Sequence, residues 1–330
     1  AALKADSTGV AEAAIAGAEK RAAEGGTPEQ RTLLARLKDE TRLLSDLDAI
    51  GDREWRIENE ELTNDQSLIQ DFAAAFRRFG IAPGEPTFLG QAPRLATSPI
   101  RERALGGLDR WHSLDRSGAL LPLLHAIDPD PYRNDVRKAV HREDAARLRA
   151  LASDPSATQQ PPHFGIVLGS YNVLPGEVRD RIVVAAYFKK PNDYAFLMSL
   201  TNPYFTHSSA IAAQRARYAT AAIALRPNSL SAWSNLGSGL LDYGDVSHSV
   251  EAFRVATRLD PNSRTAHFNL GVALQEAGDP EGALEEYYKE IDLNPATAES
   301  YVNLGILHQK AGNTKAAIEM YLQAMKARPQ

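Results

Sequence analysis

Four prolines divide the C-terminal third of this 330-residue chain into equal lengths. Pro227, Pro261, Pro295 and Pro329 follow one another at intervals of 34 residues. Because proline cannot continue a helix, each one marks the end of a helical segment, and a constant interval indicates a repeated structural unit. A chain built in this way folds as an array of similar units, each packed on its neighbours, rather than around one central core.

The units between these prolines carry the same residue types at the same places. A Leu-Gly pair lies near the start of each unit, and an aromatic residue follows the glycine by 16 positions. The shared positions are Leu236-Gly237 with Phe253, Leu270-Gly271 with Tyr287, and Leu304-Gly305 with Tyr321. This pattern resembles the tetratricopeptide repeat. The resemblance implies helical pairs, helix A and helix B, that stack into a right-handed superhelical α-solenoid.

Two positions of helix B depart from the small residue that is usual there. Ser249 occupies a small-residue position in the first unit, and Glu290 replaces the usual alanine in the second. We expect the serine to be tolerated, because it is nearly as small as alanine. Glutamate is larger and charged, so we expect a looser contact between the second unit and the third.

The rest of the chain is also predicted to be helical, so the predicted fold class is all-α. No polar–apolar alternation is long enough to argue for a sheet. Thr27-Pro28-Glu29-Gln30 forms a capping box that begins a long helix. Gly80–Ser98, with three prolines and three glycines, is predicted to be an irregular connection, and 202–208 a longer inter-helix loop. The predicted organisation is an N-terminal helical hairpin at 1–60, an irregular helical linker domain at 61–158, degenerate helical pairs at 159–226 and three regular repeats at 227–330.

The composition narrows the class of protein. The chain has no cysteine, which excludes disulfides, a thiolate nucleophile and thiolate metal sites. Its formal net charge of −5 argues against nucleic-acid binding as the main role. The longest apolar run, 182–188, is far shorter than the ~20 residues of a membrane helix, and no signal peptide is visible. We therefore expect a cytoplasmic protein that binds neither nucleic acid nor membrane.

The charge is unevenly distributed along the chain. Residues 1–60 carry a formal charge of −4, residues 61–226 one of +4 and residues 227–330 one of −5. Solvated helix faces explain this distribution. The alternative is that the basic middle prefers acidic partners.

A second resemblance concerns the region before the repeats. Four phrases lead in order into the repeats: FAAAFRRFGIA (72–82), SPIRERALGGLDRW (98–111), LLPLLHAIDPDPYRNDVRKAV (120–140) and ALASDPSATQQPP (150–162). This order resembles the C-terminal region of bacterial eukaryote-like (Hanks-type) serine/threonine protein kinases that carry a repeat tail. The resemblance implies a non-catalytic part of a signalling protein in which a kinase domain precedes these phrases.

The chain itself holds no catalytic motif of a kinase. A kinase needs a Gly-rich loop, a strand lysine, a catalytic-loop aspartate and a metal-binding aspartate, and the sequence has neither G-x-G-x-x-G nor D-F-G. Its eight histidines show no metal-ligand spacing. We therefore expect no enzyme activity, no cofactor and no metal. An unrecognised enzyme built on residues 60–160 is the weakest alternative, because no acid/base pair stands out there.

Three asparagines indicate where the repeats bind a partner. Asn235, Asn269 and Asn303 each precede a Leu-Gly pair and so share one position of helix A, which lines the concave face of such a solenoid. An amide there can donate to and accept from the backbone of a guest peptide. Further positions predicted to contact the peptide are Ser238, Phe268, Val272, Val302 and Ile306. The alternative is that these asparagines are merely solvated.

No lysine or arginine occupies these groove positions, so a clamp for a terminal carboxylate is not expected. The sequence predicts instead that a protein or peptide partner binds as an extended segment with apolar anchors. Two hypotheses stay open about the kind of protein to which this module belongs. It is either the substrate-recruiting tail of a kinase or a free-standing scaffold or assembly factor. Self-association is a further hypothesis, either through the last repeat, which has no capping helix in this sequence, or through the N-terminal hairpin.

Overall fold

The structure is a computed structural model that describes residues 8–23, 25–54, 57–58, 61–62, 65–85, 87–201 and 209–327. These ranges are mostly helical, which confirms the predicted all-α class. A short exception is an antiparallel pair of strands, β1 (Ile57–Glu58) and β2 (Glu61–Leu62), in which Ile57 lies opposite Leu62. The chain divides into two compact units, unit 1 (Ala1–Glu54 and Thr63–Pro191) and unit 2 (Trp55–Leu62 and Asn192–Gln330).

Unit 1 is built from helices joined by short connections. Its α-helices, over the part of the chain that the structure describes, are α1 (Thr8–Ala23), α2 (Pro28–Glu54), α3 (Asp65–Arg78), α4 (Ala92–Ala96), α5 (Arg101–Asp115), α6 (Leu121–Ile127), α7 (Pro131–His141), α8 (Ala145–Ser153), α9 (Pro162–Gly169) and α10 (Gly176–Lys189). Two 3₁₀ turns, Phe88–Gln91 and Pro155–Gln159, lie between them.

The start of α2 has the capping box that the sequence predicts. The backbone N–H of Thr27 donates to Gln30 Oε1 at 2.9 Å, and the backbone N–H of Gln30 donates to Thr27 Oγ1 at 3.3 Å. This reciprocal pair satisfies two N–H groups that a helix start leaves without partners. The long helix α2 then packs against α1.

The core of unit 1 forms where α2, α3 and α5 meet. Leu44, Phe76 and Leu108 are almost fully buried, and the ring of Phe76 stacks on that of Trp111 with 5.8 Å between the ring centroids. A second cluster lies around Phe164 and joins α7 through α10. Both clusters exclude water from helix stripes that are apolar in sequence, which stabilises the unit through the hydrophobic effect.

The connection Gly80–Ser98 is more ordered than its prolines and glycines predict. It contains the turn Phe88–Gln91 and the helix α4, and the side chains of Phe88 and Leu95 are buried in the core. Pro93 lies in the first turn of α4, where its missing N–H removes no helical hydrogen bond. The expectation of an irregular connection was therefore wrong for residues 88–96.

Helices α9 and α10 form a pair whose contacts place it in unit 1. A Cβ added at Gly169 of α9 would lie 2.3 Å from Val183 Cγ2 of α10, so only glycine fits at this crossing. On its other side α9 packs on α5, where a Cβ added at Gly106 would lie 3.1 Å from His163 Cβ. The predicted segment 159–226 is thus divided between the two units at Pro191.

Unit 2 contains β1, β2 and a series of helical pairs. Its helices, over the described residues, are α11 (Tyr194–Leu200), α12 (Ser209–Leu225), α13 (Leu230–Tyr243), α14 (Val246–Leu259), α15 (Arg264–Glu276), α16 (Pro280–Leu293), α17 (Ala298–Lys310) and α18 (Thr314–Ala327). The longer loop predicted at 202–208 lies outside the described residues.

The three regular pairs are α13–α14, α15–α16 and α17–α18. Each A helix is followed by a glycine in the left-handed region, with φ of +93° at Gly244, +78° at Gly278 and +79° at Gly312. Side chains with a Cβ are strained there, so glycine lets the chain reverse direction within a few residues. The next helix then begins on a capping side chain, as when Asp279 accepts from the backbone N–H of Gly282 at 2.9 Å.

Candidate functional site

The A and B helices of each regular pair cross at the glycine of the Leu-Gly pair. A Cβ added at Gly237 would lie 2.8 Å from the ring of Phe253, one at Gly271 would lie 2.7 Å from Tyr287, and one at Gly305 would lie 2.5 Å from Tyr321. Real Cβ atoms do not come this close to ring carbons. The three pairs therefore share one crossing, which holds every A helix at the same distance from its B helix.

A hydrogen bond accompanies this crossing in two of the pairs. The Tyr321 hydroxyl donates to Gln309 Oε1 at 2.9 Å, and the Tyr287 hydroxyl donates to Gln275 Oε1 at 3.4 Å. Phe253 of the first pair has no hydroxyl, and Leu241 occupies the position of the glutamine. A glutamine thus accompanies each tyrosine, whose hydroxyl needs an acceptor, and a leucine accompanies the phenylalanine, which has no hydroxyl.

The asparagines lie on the side of helix A that is turned away from its own helix B. Each asparagine precedes the crossing glycine by two positions, and at about 100° per residue it lies roughly opposite that glycine on the helix. We call this side of α13, α15 and α17, which carries Asn235, Asn269 and Asn303, the helix-A face. The predicted site residues Ser238, Phe268, Val272, Val302 and Ile306 are all half-buried, as are Asn269 and Asn303.

The first asparagine is already engaged within unit 2. The side chain of Asn235 is buried, and its Nδ2 donates to Thr201 Oγ1 at 2.7 Å. Thr201 directly follows α11, and α11 begins 36 residues before α13, so Thr201 corresponds to Gly237 in the preceding helical pair and not to Asn235. The backbone oxygen of Thr201 also accepts from Arg215 Nε at 3.0 Å. This bond uses one N–H of the Asn235 amide, and the burial of the side chain keeps the rest of the amide away from a peptide on the surface.

The third asparagine lies close to a buried tyrosine. The Asn303 side chain is near the hydroxyl of Tyr287, where it partly opposes the burial that raises the pKa of this tyrosine. Its half-buried amide still borders the helix-A face. The role of the asparagines in binding stays a prediction, with Asn269 and Asn303 as its more accessible members.

An apolar strip borders the helix-A face in the second and third pairs, on the edge nearer to helix B. Phe268 packs on Tyr287, with 6.0 Å between ring centroids and 52° between ring planes, and Val272 lies one turn further along α15. Val302 and Ile306 occupy the equivalent positions of α17. Because all four side chains stay half-buried, they retain apolar surface that a guest could cover.

Two further polar contacts belong to the same geometry. Gln275 and Gln309 repeat at the 34-residue interval, so the interval alone indicates both positions. Thr201 lies outside this series, because α11 begins 36 residues before α13, and no spacing indicates its contact with Asn235. Hydrogen bonds between helical pairs depend on how closely the helices pack, which the interval does not record.

In the described ranges, no three His, Asp or Glu side chains come together in a way that could hold a metal ion. None of the helices described is both long and apolar enough to cross a lipid bilayer.

The comparison with known protein families decides the nature of the regular pairs. Two sequence models, both of the tetratricopeptide repeat, match residues 234–301 and residues 298–330. Residues 234–330 carry tetratricopeptide repeats. Accordingly, α13–α14, α15–α16 and α17–α18 are called the first, second and third repeats. No curated protein matches the chain.

Several solved structures are similar to the chain. The structure of MamA is 20% identical with a TM-score of 0.42, over 46% of this chain and 88% of MamA. MamA from residue 41 to its end, from Desulfovibrio magneticus RS-1, is 18% identical with a TM-score of 0.41, over 56% and 95%. YrrB, described as a TPR protein with an unusual peptide-binding site, is 16% identical with a TM-score of 0.41, over 61% and 94%.

Proposed function

We propose that unit 2 binds an extended peptide segment of a partner protein on the helix-A face of its three repeats. The observation that carries this proposal is the row of half-buried apolar side chains on α15 and α17, bordered by Asn269 and Asn303. An extended guest offers backbone N–H and C=O groups at regular intervals, and an amide side chain can serve both kinds. Recognition would then depend on backbone shape and a few apolar anchors.

The charges of the helix-A face favour a guest segment from the interior of a partner chain over a guest that ends in a terminal carboxylate. The corresponding A-helix positions hold Thr265, Phe268 and Val272 in the second repeat, and Glu299, Val302 and Ile306 in the third. Without a lysine or arginine among them, a terminal carboxylate would lose its hydration and find no counter-charge. We therefore expect the bound segment to come from the interior of a partner chain or from a flexible loop.

A peptide library tests the proposal. The full chain is screened against a display library of random linear peptides, and the binders are measured by fluorescence anisotropy. Asn269→Ala combined with Asn303→Ala should weaken the best binder about tenfold or more, which is the loss expected from two backbone hydrogen bonds of about 1 kcal/mol each. Asn262→Ala, in the exposed loop before α15, is the matched control and should leave binding unchanged.

Two results would contradict the proposal. One is a library screen that yields no binder, and the other is a binder whose affinity is the same for the double variant and the wild type. Asn235→Ala is measured separately, because loss of its hydrogen bond to Thr201 should lower the stability of unit 2. Circular dichroism and a thermal melt of each variant separate lost binding from lost fold.

The kinase-tail hypothesis specifies the setting of this binding. It rests on the ordered phrases between residues 72 and 162, and it places the module in the cytoplasm of a bacterium as the substrate-recruiting part of a serine/threonine kinase. Tethering would raise the concentration of a bound partner at the kinase to roughly the millimolar range. The alternative is a free-standing scaffold or assembly factor that recruits partners to one another.

The coding sequence upstream of Ala1 separates these two settings. A reading frame that continues into a Gly-rich loop, a catalytic-loop aspartate and a D-F-G motif establishes the kinase tail. An initiation codon directly before this segment, without any such motif, establishes the scaffold. A phosphotransfer and hydrolysis screen of the chain itself tests for an enzyme, and any turnover would contradict the non-catalytic role.

Self-association is a hypothesis that rests on the last helix. Ile318, Leu322 and Met325 of α18 are 55%, 51% and 74% exposed. Leu284 and Ile291, which precede Ile318 and Met325 by one repeat length, pack in the core beside α17. A second copy could cover the face of α18 in the same way. Light scattering of the wild type and of Ile318→Lys with Met325→Lys tests this, and equal masses for the two proteins would contradict it.

A further inference from the structure

The three asparagines of the helix-A face differ in what their amides meet. Asn235 is buried, and its Nδ2 donates to Thr201 Oγ1 at 2.7 Å. Asn303 lies near the hydroxyl of Tyr287. Asn269, in contrast, has no side-chain hydrogen bond to any other described residue. One of three equivalent amides is therefore open within unit 2.

The preceding helix B accounts for this difference. Tyr287 of α16 precedes Asn303 by 16 residues. Phe253 of α14 precedes Asn269 by the same number. Helix α14 packs on α15 as α16 packs on α17, and both rings lie at the glycine crossing of their own repeat. Asn269 therefore borders a ring without a hydroxyl, whereas Asn303 borders a ring that carries one.

A second position of the crossing reinforces this contrast. In the second repeat, the hydroxyl of Tyr287 also donates to Gln275 Oε1 at 3.4 Å. In the first repeat, Leu241 takes the place of the glutamine and packs on the apolar cluster that contains Phe253. This part of the first repeat therefore offers the amide of Asn269 neither a donor nor an acceptor.

The open amide of Asn269 suits one kind of partner. Its oxygen accepts hydrogen bonds and its nitrogen donates two, and the side chain is half-buried. A polar group without a partner costs free energy, so a guest that supplies both a donor and an acceptor is favoured at this position. A residue of an extended strand does so, because its own N–H and C=O point to the same edge of the strand.

The neighbours of Asn269 on α15 indicate which guest residues fit beside it. Phe268 and Val272 lie within one turn of the asparagine, and both are half-buried. Aliphatic side chains of the guest can cover this apolar surface and remove it from water. We therefore expect valine, isoleucine or leucine in the guest next to the residue that is bonded to the amide.

We propose that Asn269 is the principal anchor for the backbone of the guest peptide, and that Phe253 is the positioning residue that keeps its amide open. Tyr287 has the opposite effect in the second repeat, because its hydroxyl is available to Asn303. The anchor rests on the proposed function, since it specifies where on the helix-A face the guest is held. The difference between the amides does not depend on any guest.

Two double substitutions exchange these residues between the repeats. The closed variant, Phe253→Tyr with Leu241→Gln, gives the first repeat the hydroxyl and the amide of the second. The open variant, Tyr287→Phe with Gln275→Leu, gives the second repeat the apolar pair of the first. Each combination already packs at the same crossing in the other repeat, and thermal melts show whether both proteins fold. If one of them does not fold, the other decides the outcome.

Hydrogen exchange of the side-chain amides tests this arrangement without any peptide. The exchange rates are measured by nuclear magnetic resonance on the isotope-labelled full chain, and each signal is assigned by its loss in the alanine variant. Exchange should be slowest at Asn235 and fastest at Asn269 in the wild type. In the closed variant it should slow about fivefold at Asn269, which is the effect of one hydrogen bond, and in the open variant it should become faster at Asn303. Exchange at Asn269 that is no faster than at Asn303, or no response to either variant, would overturn the proposal.

Binding measurements test the anchor itself. The probe is the tightest peptide from the display library, labelled with fluorescein, and its Kd is measured by fluorescence anisotropy. Asn269→Ala should weaken binding about fivefold or more, and Asn303→Ala less than about twofold. The closed variant should weaken binding about fivefold, and the open variant should strengthen it about twofold or more. In the closed variant, the further substitution Asn269→Ala should change the Kd by less than about twofold, because the amide is already engaged.

The results separate the anchor from the proposed function. A probe that loses affinity equally in Asn269→Ala and Asn303→Ala supports the proposed function and overturns the principal anchor. Unchanged affinity in the closed variant, or a full further loss when Asn269→Ala is added to it, shows that Phe253 does not act through Asn269. A library screen without a binder overturns the proposed function and the anchor together, while the exchange rates still decide whether the Asn269 amide is open.

Discussion

Gly271 lies directly beneath the ring of Tyr287, so close that a Cβ on the glycine would come within 2.7 Å of the Cε1 atom of the ring. The tyrosine side chain is completely buried at this point. The same relationship joins Gly237 to Phe253 and Gly305 to Tyr321. It is the contact by which each helical pair of the solenoid holds its shape.

Substitution of Gly271 by alanine should therefore destabilise unit 2. Alanine gains less than about 1 kcal/mol of helix propensity over glycine, but the displaced ring costs about 1–3 kcal/mol of overpacking. Gly51→Ala in α2 is the matched control, because nothing lies within 4 Å of a Cβ at that position and the change should stabilise. Urea titration followed by circular dichroism measures both, and equal shifts for the two variants would contradict the crossing.

A buried carboxyl between the second and third repeats should make stability depend on pH. Glu290 is 1% exposed, and burial raises its pKa although Ser300 and Arg264 act in the opposite direction. Because the folded pKa is above the ordinary 4.5, this group favours folding at acid pH, and the benefit is lost as the pH rises through the folded pKa.

Glu290→Gln should remove that pH dependence and stabilise the chain at pH 8. The amide keeps the shape of the side chain and carries no charge to desolvate, and Arg264 is 31% exposed, so water can hydrate it. Glu285→Gln, whose side chain is 69% exposed, is the control and should change stability by less than about 0.5 kcal/mol. Denaturant midpoints of the three proteins at several pH values provide the test. A variant that is less stable than the wild type at pH 8 would contradict the interpretation.

A histidine–glutamate pair in the second repeat should stabilise the folded chain within a defined pH window. His267 Nδ1 lies 2.6 Å from Glu286 Oε2. This hydrogen bond raises the pKa of His267, and the hydrogen bonds of His267 and Lys289 outweigh burial and lower the pKa of Glu286. The histidine contributes fully below its ordinary 6.5 and loses its contribution as the pH rises through its raised pKa. The glutamate contributes fully above its ordinary 4.5 and loses its contribution as the pH falls through its lowered pKa.

His267→Gln should therefore destabilise most between about pH 4.5 and 6.5, where both partners are charged. His248→Gln is the control, because its ring lies at the exposed start of α14 beside Asp245. The His267 titration, followed by nuclear magnetic resonance of the imidazole protons, measures the shift directly. A pKa at or below 6.5 would show that the pair does not form.

The free energy of unfolding should fall most when one charge is removed from a buried ion cluster in unit 1. Arg137 Nε lies 2.7 Å from Asp109 Oδ1, its Nη2 lies 2.9 Å from Asp128 Oδ2, and all three side chains are at most 3% exposed. Arg137→Met leaves both carboxylates buried without this partner, which costs about 3–5 kcal/mol. Arg147→Met breaks a surface pair with Asp135 and should cost less than about 1 kcal/mol. Similar losses in urea titrations of the two variants would contradict the role of the cluster.

The repeat architecture was predictable because its rules are local. A 34-residue interval, a small residue at the crossing and a left-handed glycine after helix A each involve contacts within one unit, where spacing in sequence determines position in space. The capping box of Thr27 and Gln30 is local in the same sense. The turn and helix between residues 88 and 96 were missed, because their order comes from burying Phe88 and Leu95 in a core formed by distant helices.

The candidate site was predictable only in outline. The sequence places Asn235, Asn269 and Asn303 on one side of helix A, but their engagement differs, because the neighbours differ. Asn235 donates to Thr201 of the preceding helical pair, while Asn303 lies near the hydroxyl of Tyr287. Such contacts depend on distances between helices, and no pattern along the chain records those distances.

The amino-acid sequence by itself therefore determined that the C-terminal third is a stack of helical pairs, which helix faces meet within each pair, and which residue types line the opposite side. Only the tertiary structure decided that α9 and α10 belong to unit 1 and that the first asparagine is taken up by Thr201. The reason is physical: contacts within a unit follow from helix periodicity, whereas contacts between distant segments depend on how whole elements pack and on which surfaces are left for them to cover.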